Sequence, residues 1–144
     1  MTEEKLAQFV DDFYAWSGKN LETELSMYPQ GPVSAMAFVT RAENTVLEEI
    51  RASNPGFDPQ ALTGDQEETI RRAVLEQVLY VLSVGDLSLM SGYDPVTNAV
   101  LPIAELRGRI FAPAARRILR NGGLLYRGLR RQGSGYLSER EGWR

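Results

Sequence analysis

The stretch DQEETIRRAVLEQVLYVLSV, residues 65–84, decides the fold, because it predicts a helix that is apolar on more than one face. Its apolar residues are Ile70, Ala73, Val74, Leu75, Val78, Leu79, Val81 and Leu82. A helix of this kind packs in the centre of a bundle, since a surface helix needs only one apolar stripe. Asp65 and Glu68 form a capping-box-like start, and Gly85 ends the predicted helix.

Two predicted helices precede the central one, and each carries one apolar stripe. The first lies within residues 2–16, and Gly18 ends it. Its stripe consists of Leu6, Phe9, Val10 and Phe13. The second runs from Val33 to Ala52, and its stripe consists of Met36, Val39, Ala42, Val46 and Ile50. Between them, in residues 21–27, the residues Leu21, Thr23, Leu25 and Met27 alternate with glutamates and a serine. This period of two predicts an extended edge or a short strand.

A fourth helix is predicted after a long loop. In residues 85–108 the apolar residues have neither helical nor strand spacing, although the short apolar run 99–101 is compatible with a strand. The helix runs from Pro113 to Asn121, and two glycines follow as its stop. Residues 129–144 have too little apolar content to fold alone. The predicted fold is therefore all-α: a compact bundle of about four helices with a long loop and an extended C-terminal arm.

The residue types exclude most catalytic chemistry. The chain of 144 residues, the size of one domain, contains no cysteine and no histidine. Thiol nucleophiles, the usual general base and the commonest transition-metal ligand are therefore missing. Adjacent carboxylates such as Glu67 and Glu68 point about 100° apart on a helix and do not converge on one site. We expect no enzyme, no catalytic residue, no metal site and no cofactor.

The amino-terminal sequence and the apolar runs predict a protein without membrane segments. Residues 1–12 are acidic and lack the apolar core of a signal peptide. The most apolar stretch, residues 73–84, is shorter than the ~20 residues that span a bilayer. We therefore expect a soluble, cytosolic protein.

Charge is distributed unevenly along the chain. Residues 1–106 carry 6 basic and 17 acidic residues, whereas residues 107–144 carry 10 arginines and two glutamates, so the two parts have net charges of −11 and +8. Such a chain can associate head to tail with its own copies or offer its basic end to an acidic partner. A solvated surface followed by a tail is the alternative interpretation.

Two segments together resemble a known family. AVLEQVLYVLSVG, residues 73–85, and FAPAARRILRNGGLLYRGL, residues 111–129, are similar in order and spacing to the head-tail connector, or adaptor, proteins of tailed bacteriophages. The first segment matches the family's A-x-x-x-Q-x-x-Y pattern at Ala73, Gln77 and Tyr80. The matches in the second segment are Pro113, Ala115, Gly123, Leu124, Leu125, Tyr126, Arg127 and Gly128, and Ala112 stands where the family often has serine.

The resemblance, which covers about residues 36–128, implies a structural virion protein. Family members form a dodecameric ring of identical subunits below the portal protein, extend the DNA channel and bind the stopper or tail-completion protein. The genomic DNA passes through without sequence-specific binding, and no membrane is involved. The protein is then expected at the head–tail interface of the virion, and in the host cytoplasm during assembly.

The resemblance also divides the chain into a helical connector domain, residues 1–128, and a docking arm, residues 129–144, that inserts into the portal. The expected anchors of the docking arm are Arg130, Arg131, Tyr136, Leu137 and Trp143. The residues expected to contact a neighbouring subunit or partner are Arg116, Arg117, Arg120, Tyr126 and Arg127.

A small nucleic-acid-binding helical protein is the alternative function, with the C-terminal arginines bound to phosphates. The strongly acidic residues 1–106 and the lack of a recognition helix with base-reading side chains argue against it.

Overall fold

A computed structural model of the protein describes residues 1–28, 33–84 and 110–125. Within these ranges the chain forms five helices and no strand, which confirms the all-α prediction. The helices are α1, Glu3–Ser17; α2, Leu21–Ser26; α3, Ala35–Ser53; α4, Gly64–Val84; and α5, Pro113–Asn121. The predicted loop, with its possible strand, and the docking arm lie outside the described residues.

The helix α4 is the centre of the bundle, as its two-faced apolar pattern predicts. It packs mainly against α5 and α3, and it also contacts α1. Ala73, Leu75 and Val78 are fully buried in these contacts. Burial on several faces explains why this helix has no single apolar stripe.

The apolar stripes of α1 and α3 form a large part of the core, together with buried residues of α2, α4 and α5. Phe9 and Phe13 of α1 are buried, whereas Leu6 and Val10 pack at its edge. The buried residues of α3 are Phe38, Val39, Ala42, Val46 and Ile50. The rings of Tyr28 and Phe38 meet edge to face, with 5.5 Å between centroids. The predicted stripes are thus confirmed as the inner faces of the two helices, although Leu6, Val10 and Met36 are only partly buried.

The segment after α1 is a helix, so the prediction of an extended edge or strand was wrong. Asn20 caps α2, because its Oδ1 accepts a hydrogen bond of 2.9 Å from the backbone N–H of Thr23. Leu21 and Leu25 are both buried on one face of the helix. Their spacing of four residues fits one turn of a helix and also fits the period of two of a strand. The cap by Asn20 shows that the segment is a helix.

The start of α4 also differs from the prediction. The N–H of Gln66 donates to Thr63 Oγ1 at 3.2 Å, and the N–H of Thr63 donates to Gln66 Oε1 at 3.0 Å. This reciprocal pair is a capping box two residues before the predicted pair Asp65 and Glu68. The prediction was wrong because Glu68 instead accepts hydrogen bonds from two arginines.

One of these two arginines, Arg71, also joins α4 to α1. Arg71 donates to both carboxylate oxygens of Glu68, at 3.0 and 2.6 Å, and Arg72 donates to Glu68 at 2.9 Å. Arg71 Nη1 also lies 3.2 Å from Asp12 Oδ2 of α1. The hydrogen bond from Arg71 lowers the pKa of Glu68, and the same bond raises the pKa of Arg71.

The lowered pKa makes this network sensitive to acid. A carboxylate whose pKa is lower in the folded state stabilises that state above its ordinary pKa of 4.5, and this contribution is lost as the pH falls through the lowered value. The free energy of unfolding of the wild type should therefore exceed that of Glu68→Gln at pH 6, and the difference should shrink by pH 3. Urea unfolding at both pH values measures it, with Glu67→Gln on the exposed neighbouring carboxylate as the control. An equal difference at the two pH values would contradict the prediction.

The helix α5 ends as the sequence predicts, in a Schellman motif. Gly123 has a φ of 79°, in the left-handed region that favours glycine. Its N–H donates to Arg120 O at 3.1 Å, and the N–H of Leu124 donates to Leu119 O at 2.9 Å. The preceding glycine, Gly122, lies against Thr69 of α4.

This close contact predicts the effect of a single methyl group. A Cβ at Gly122 would lie 2.5 Å from Thr69 Cγ2, so Gly122→Ala should lower the free energy of unfolding by about 1–3 kcal/mol. Thr69→Ala in the same chain should restore most of the loss, because it removes the clashing atoms. Gly64→Ala is the control, since a Cβ there meets nothing within 4 Å. Urea unfolding of the four proteins would contradict the prediction if Gly122→Ala and Gly64→Ala were equally stable.

Candidate interaction surface

The start of α5 is held by a side chain of α4. Ala112 occupies the N-cap position and has no side-chain cap of its own. Its backbone N–H donates instead to Gln77 Oε1 at 2.8 Å, and Gln77 Nε2 donates to the carbonyl oxygen of Ile110 at 3.0 Å. Gln77 is only 2% exposed and is the buried polar side chain of the described core. One amide group therefore satisfies two backbone groups that the fold removes from water.

The two ends of α5 attach to α4 at separate points. Its start is bound by Gln77, and Gly122 at its end contacts Thr69, which is two helical turns earlier in α4. The two helices are therefore antiparallel. Between these points Ala115 and Leu119 of α5 are fully buried. The described part of the chain thus ends, at Leu125, near the N-terminal half of α4.

Substitutions of Gln77 should loosen the start of α5. Gln77→Ala leaves the N–H of Ala112 and the carbonyl of Ile110 without partners, and we expect it to lower the free energy of unfolding by about 2–4 kcal/mol. Gln77→Glu places a carboxylate against the Ile110 carbonyl at neutral pH, whereas the protonated acid can donate to it. Hydrogen exchange at the Ala112 amide should be faster in both variants at neutral pH. As the pH falls, the Ala112 amide should regain protection from exchange, relative to wild type, only in Gln77→Glu. Identical pH profiles of exchange in the two variants would contradict this role of Gln77.

The arginines of α5 fall into two groups. Arg116 is used within its own chain, because its Nη2 donates to Glu49 Oε2 of α3 at 3.0 Å and its guanidinium lies 5.1 Å from the centroid of the Phe111 ring. Arg117 and Arg120 are exposed. Their spacing of three residues places them on neighbouring turns of one helix face. Two such guanidinium groups can bind carboxylates or phosphates of a partner.

The other residues singled out by the sequence lie outside the described residues. They are Tyr126, Arg127, Arg130, Arg131, Tyr136, Leu137 and Trp143. Their expected contacts with a subunit, partner or portal stay predictions.

A groove of about 610 Å³, which the sequence did not indicate, opens between α1, α3, α4 and the segment before α4. Phe9 and Val74 lie buried at its base, and Leu47, Leu62 and Ile70 are partly exposed along it. These residues come from four separate segments, and each one by itself fits an ordinary core position. The groove offers an apolar surface that no described residue fills.

A second feature without a sequence signal joins α1 to α4 at the surface. The indole N–H of Trp16 donates to Glu76 Oε2 at 2.6 Å, although the Trp16 side chain is 42% exposed. No residue spacing links positions 16 and 76, so only the packing of the helices reveals the contact.

Two kinds of site are not found among residues 1–28, 33–84 and 110–125. No group of three or more acidic side chains there converges as metal ligands would. No helix there combines the length and the apolar character needed to cross a membrane. Comparison of the chain with protein-family models, curated proteins and solved structures gives no match.

Proposed function

We propose that the protein is a structural, non-enzymatic connector of a tailed bacteriophage, which forms a ring below the portal, extends the DNA channel and joins the head to the stopper or tail. The observation that carries this proposal is the Gln77 contact. The two segments that resemble the connector family, residues 73–85 and 111–129, are separated in sequence. Gln77 of the first binds the backbone of Ala112 in the second and of Ile110 just before it. The described parts of the two segments, residues 73–84 and 111–125, are therefore in contact with each other.

The charge of the bundle supports a channel through which DNA slides. The described residues include 9 basic and 14 acidic residues, so the helical body has a net charge of −5. An acidic surface repels phosphates and lets DNA pass without being retained. A protein that held nucleic acid on its body would need the opposite charge.

The docking arm, residues 129–144, attaches this body to the portal. Arg130 and Arg131 can each pair with a carboxylate through a planar fork, which lysine does not reproduce. Tyr136, Leu137 and Trp143 supply the buried apolar area that offsets the loss of conformational freedom on docking. The exposed Arg117 and Arg120 of α5 are then available to a neighbouring subunit or to the stopper.

Deletion of residues 129–144 should leave the bundle folded and abolish attachment to the portal. The buried core of the described residues lies between Phe9 and Leu125, so helical circular dichroism should persist. Co-sedimentation with DNA-filled capsids that carry the portal but lack tails measures attachment. Sedimentation of the truncated protein at wild-type stoichiometry would show that the docking arm lies elsewhere.

The arginines of the docking arm should act through geometry as well as charge. Replacing Arg130 and Arg131 with glutamate should weaken capsid attachment more than replacing both with lysine, and both changes should weaken it relative to wild type. The lysine variant is the matched control, because it keeps the charge. Binding of duplex DNA tests the alternative: a steep loss of affinity with salt that disappears with these arginines would favour a nucleic-acid-binding protein.

A further inference from the structure

The groove between α1, α3 and α4 has the chemistry of a peptide-binding site. Its base is apolar, with Phe9 and Val74 buried and Ile70 half-buried. Carboxylates occur along its rim: Asp12 pairs with Arg71, and Glu43 lies 3.9 Å from the N-terminal ammonium. The rim as a whole is close to neutral, and it is set in an acidic body. A segment that combines large apolar side chains with arginines would fit both the base and the surroundings.

The path of the chain brings such a segment within reach. Gly122 contacts Thr69, and the next residue of α4, Ile70, lines the groove. An extended chain spans about 3.3 Å per residue, so the residues from 126 to Tyr136 can cover roughly 35 Å, about three times the ~10–12 Å diameter of a helix. The docking arm can therefore pass around α4 and reach the groove of its own chain.

The composition of the docking arm fits the groove. Residues 129–144 contain four arginines and two glutamates, a net charge of +2, against −5 for the helical body. Tyr136, Leu137 and Trp143 are its large apolar side chains. No other segment outside the described residues combines a basic excess with a tryptophan.

We infer that this groove is the docking site for residues 129–144 of the same chain in the free protein. Tyr136, Leu137 or Trp143 occupies the apolar base, and the arginines face the acidic surface around it. Attachment to the same chain gives the arm an effective concentration in the millimolar range, so a weak site is filled. The inference rests on the proposed function in one respect: the docking arm is held on its own body until a portal surface competes for it.

A photo-cross-linking experiment on the full chain tests the inference without guessing a register. The protein contains no cysteine, so Glu67→Cys places a single thiol for a photoreactive label at the rim. Glu22→Cys is the matched control, because Glu22 and Glu67 are both exposed glutamates in the first turn of a helix, and Glu22 is outside the groove. Mass spectrometry of the adducts identifies the captured segment, and mixing isotopically heavy and light protein shows whether it belongs to the same copy.

Adducts with residues 129–144 of the same copy should be about tenfold more frequent from Glu67→Cys than from Glu22→Cys. Replacing Arg130 and Arg131 with glutamate in the Glu67→Cys protein should remove most of this excess. Equal capture from both positions would overturn the inference, and so would adducts that join heavy to light copies. Capsid attachment of the truncated protein tests the proposed function separately, since cross-linking of the free protein requires no portal.

Discussion

The amide of Gln77 is the constraint on which the arrangement of α4 and α5 depends. The segment before α5 enters the core, so the N–H of Ala112 and the carbonyl of Ile110 must find partners inside it. A primary amide can satisfy both, because it carries an acceptor and a donor on one rigid group. Leu or Met would fill the same volume and satisfy neither. The buried polar residue of α4 thus fixes the register in which α5 packs.

Much of the bundle could be predicted from the sequence, because its helices carry regular apolar patterns. The prediction Val33–Ala52 for α3 differs from Ala35–Ser53 by two residues or fewer at each end, and α5 agrees at both ends. The failures have a local cause. The spacing of Leu21 and Leu25 fits both a strand and a helix, and the hydrogen bond of the Asn20 cap shows that the segment is a helix. At the start of α4 two overlapping pairs of residues fit a capping box, and the observed hydrogen bonds show which pair forms it.

The candidate surface was less predictable, because charge pattern alone does not say which charges are used within the chain. Arg116, Arg117 and Arg120 are equivalent in the sequence, yet only Arg116 lies beside Glu49 and the Phe111 ring. The groove has no signal at all, since its walls come from residues far apart in the chain. Gln77 was visible as a polar interruption and as part of the family resemblance, but its two backbone partners were not.

The two sides of α4 use different kinds of interaction, and this has consequences for assembly. Toward α5 the contacts are apolar or are made by the buried neutral amide, which salt and pH scarcely affect. Toward α1 they include the solvent-accessible pair Arg71–Asp12, which salt screens. The pair formed by α4 and α5 is therefore held mainly by contacts that neither salt nor pH weakens, whereas the contact between α4 and α1 is partly electrostatic.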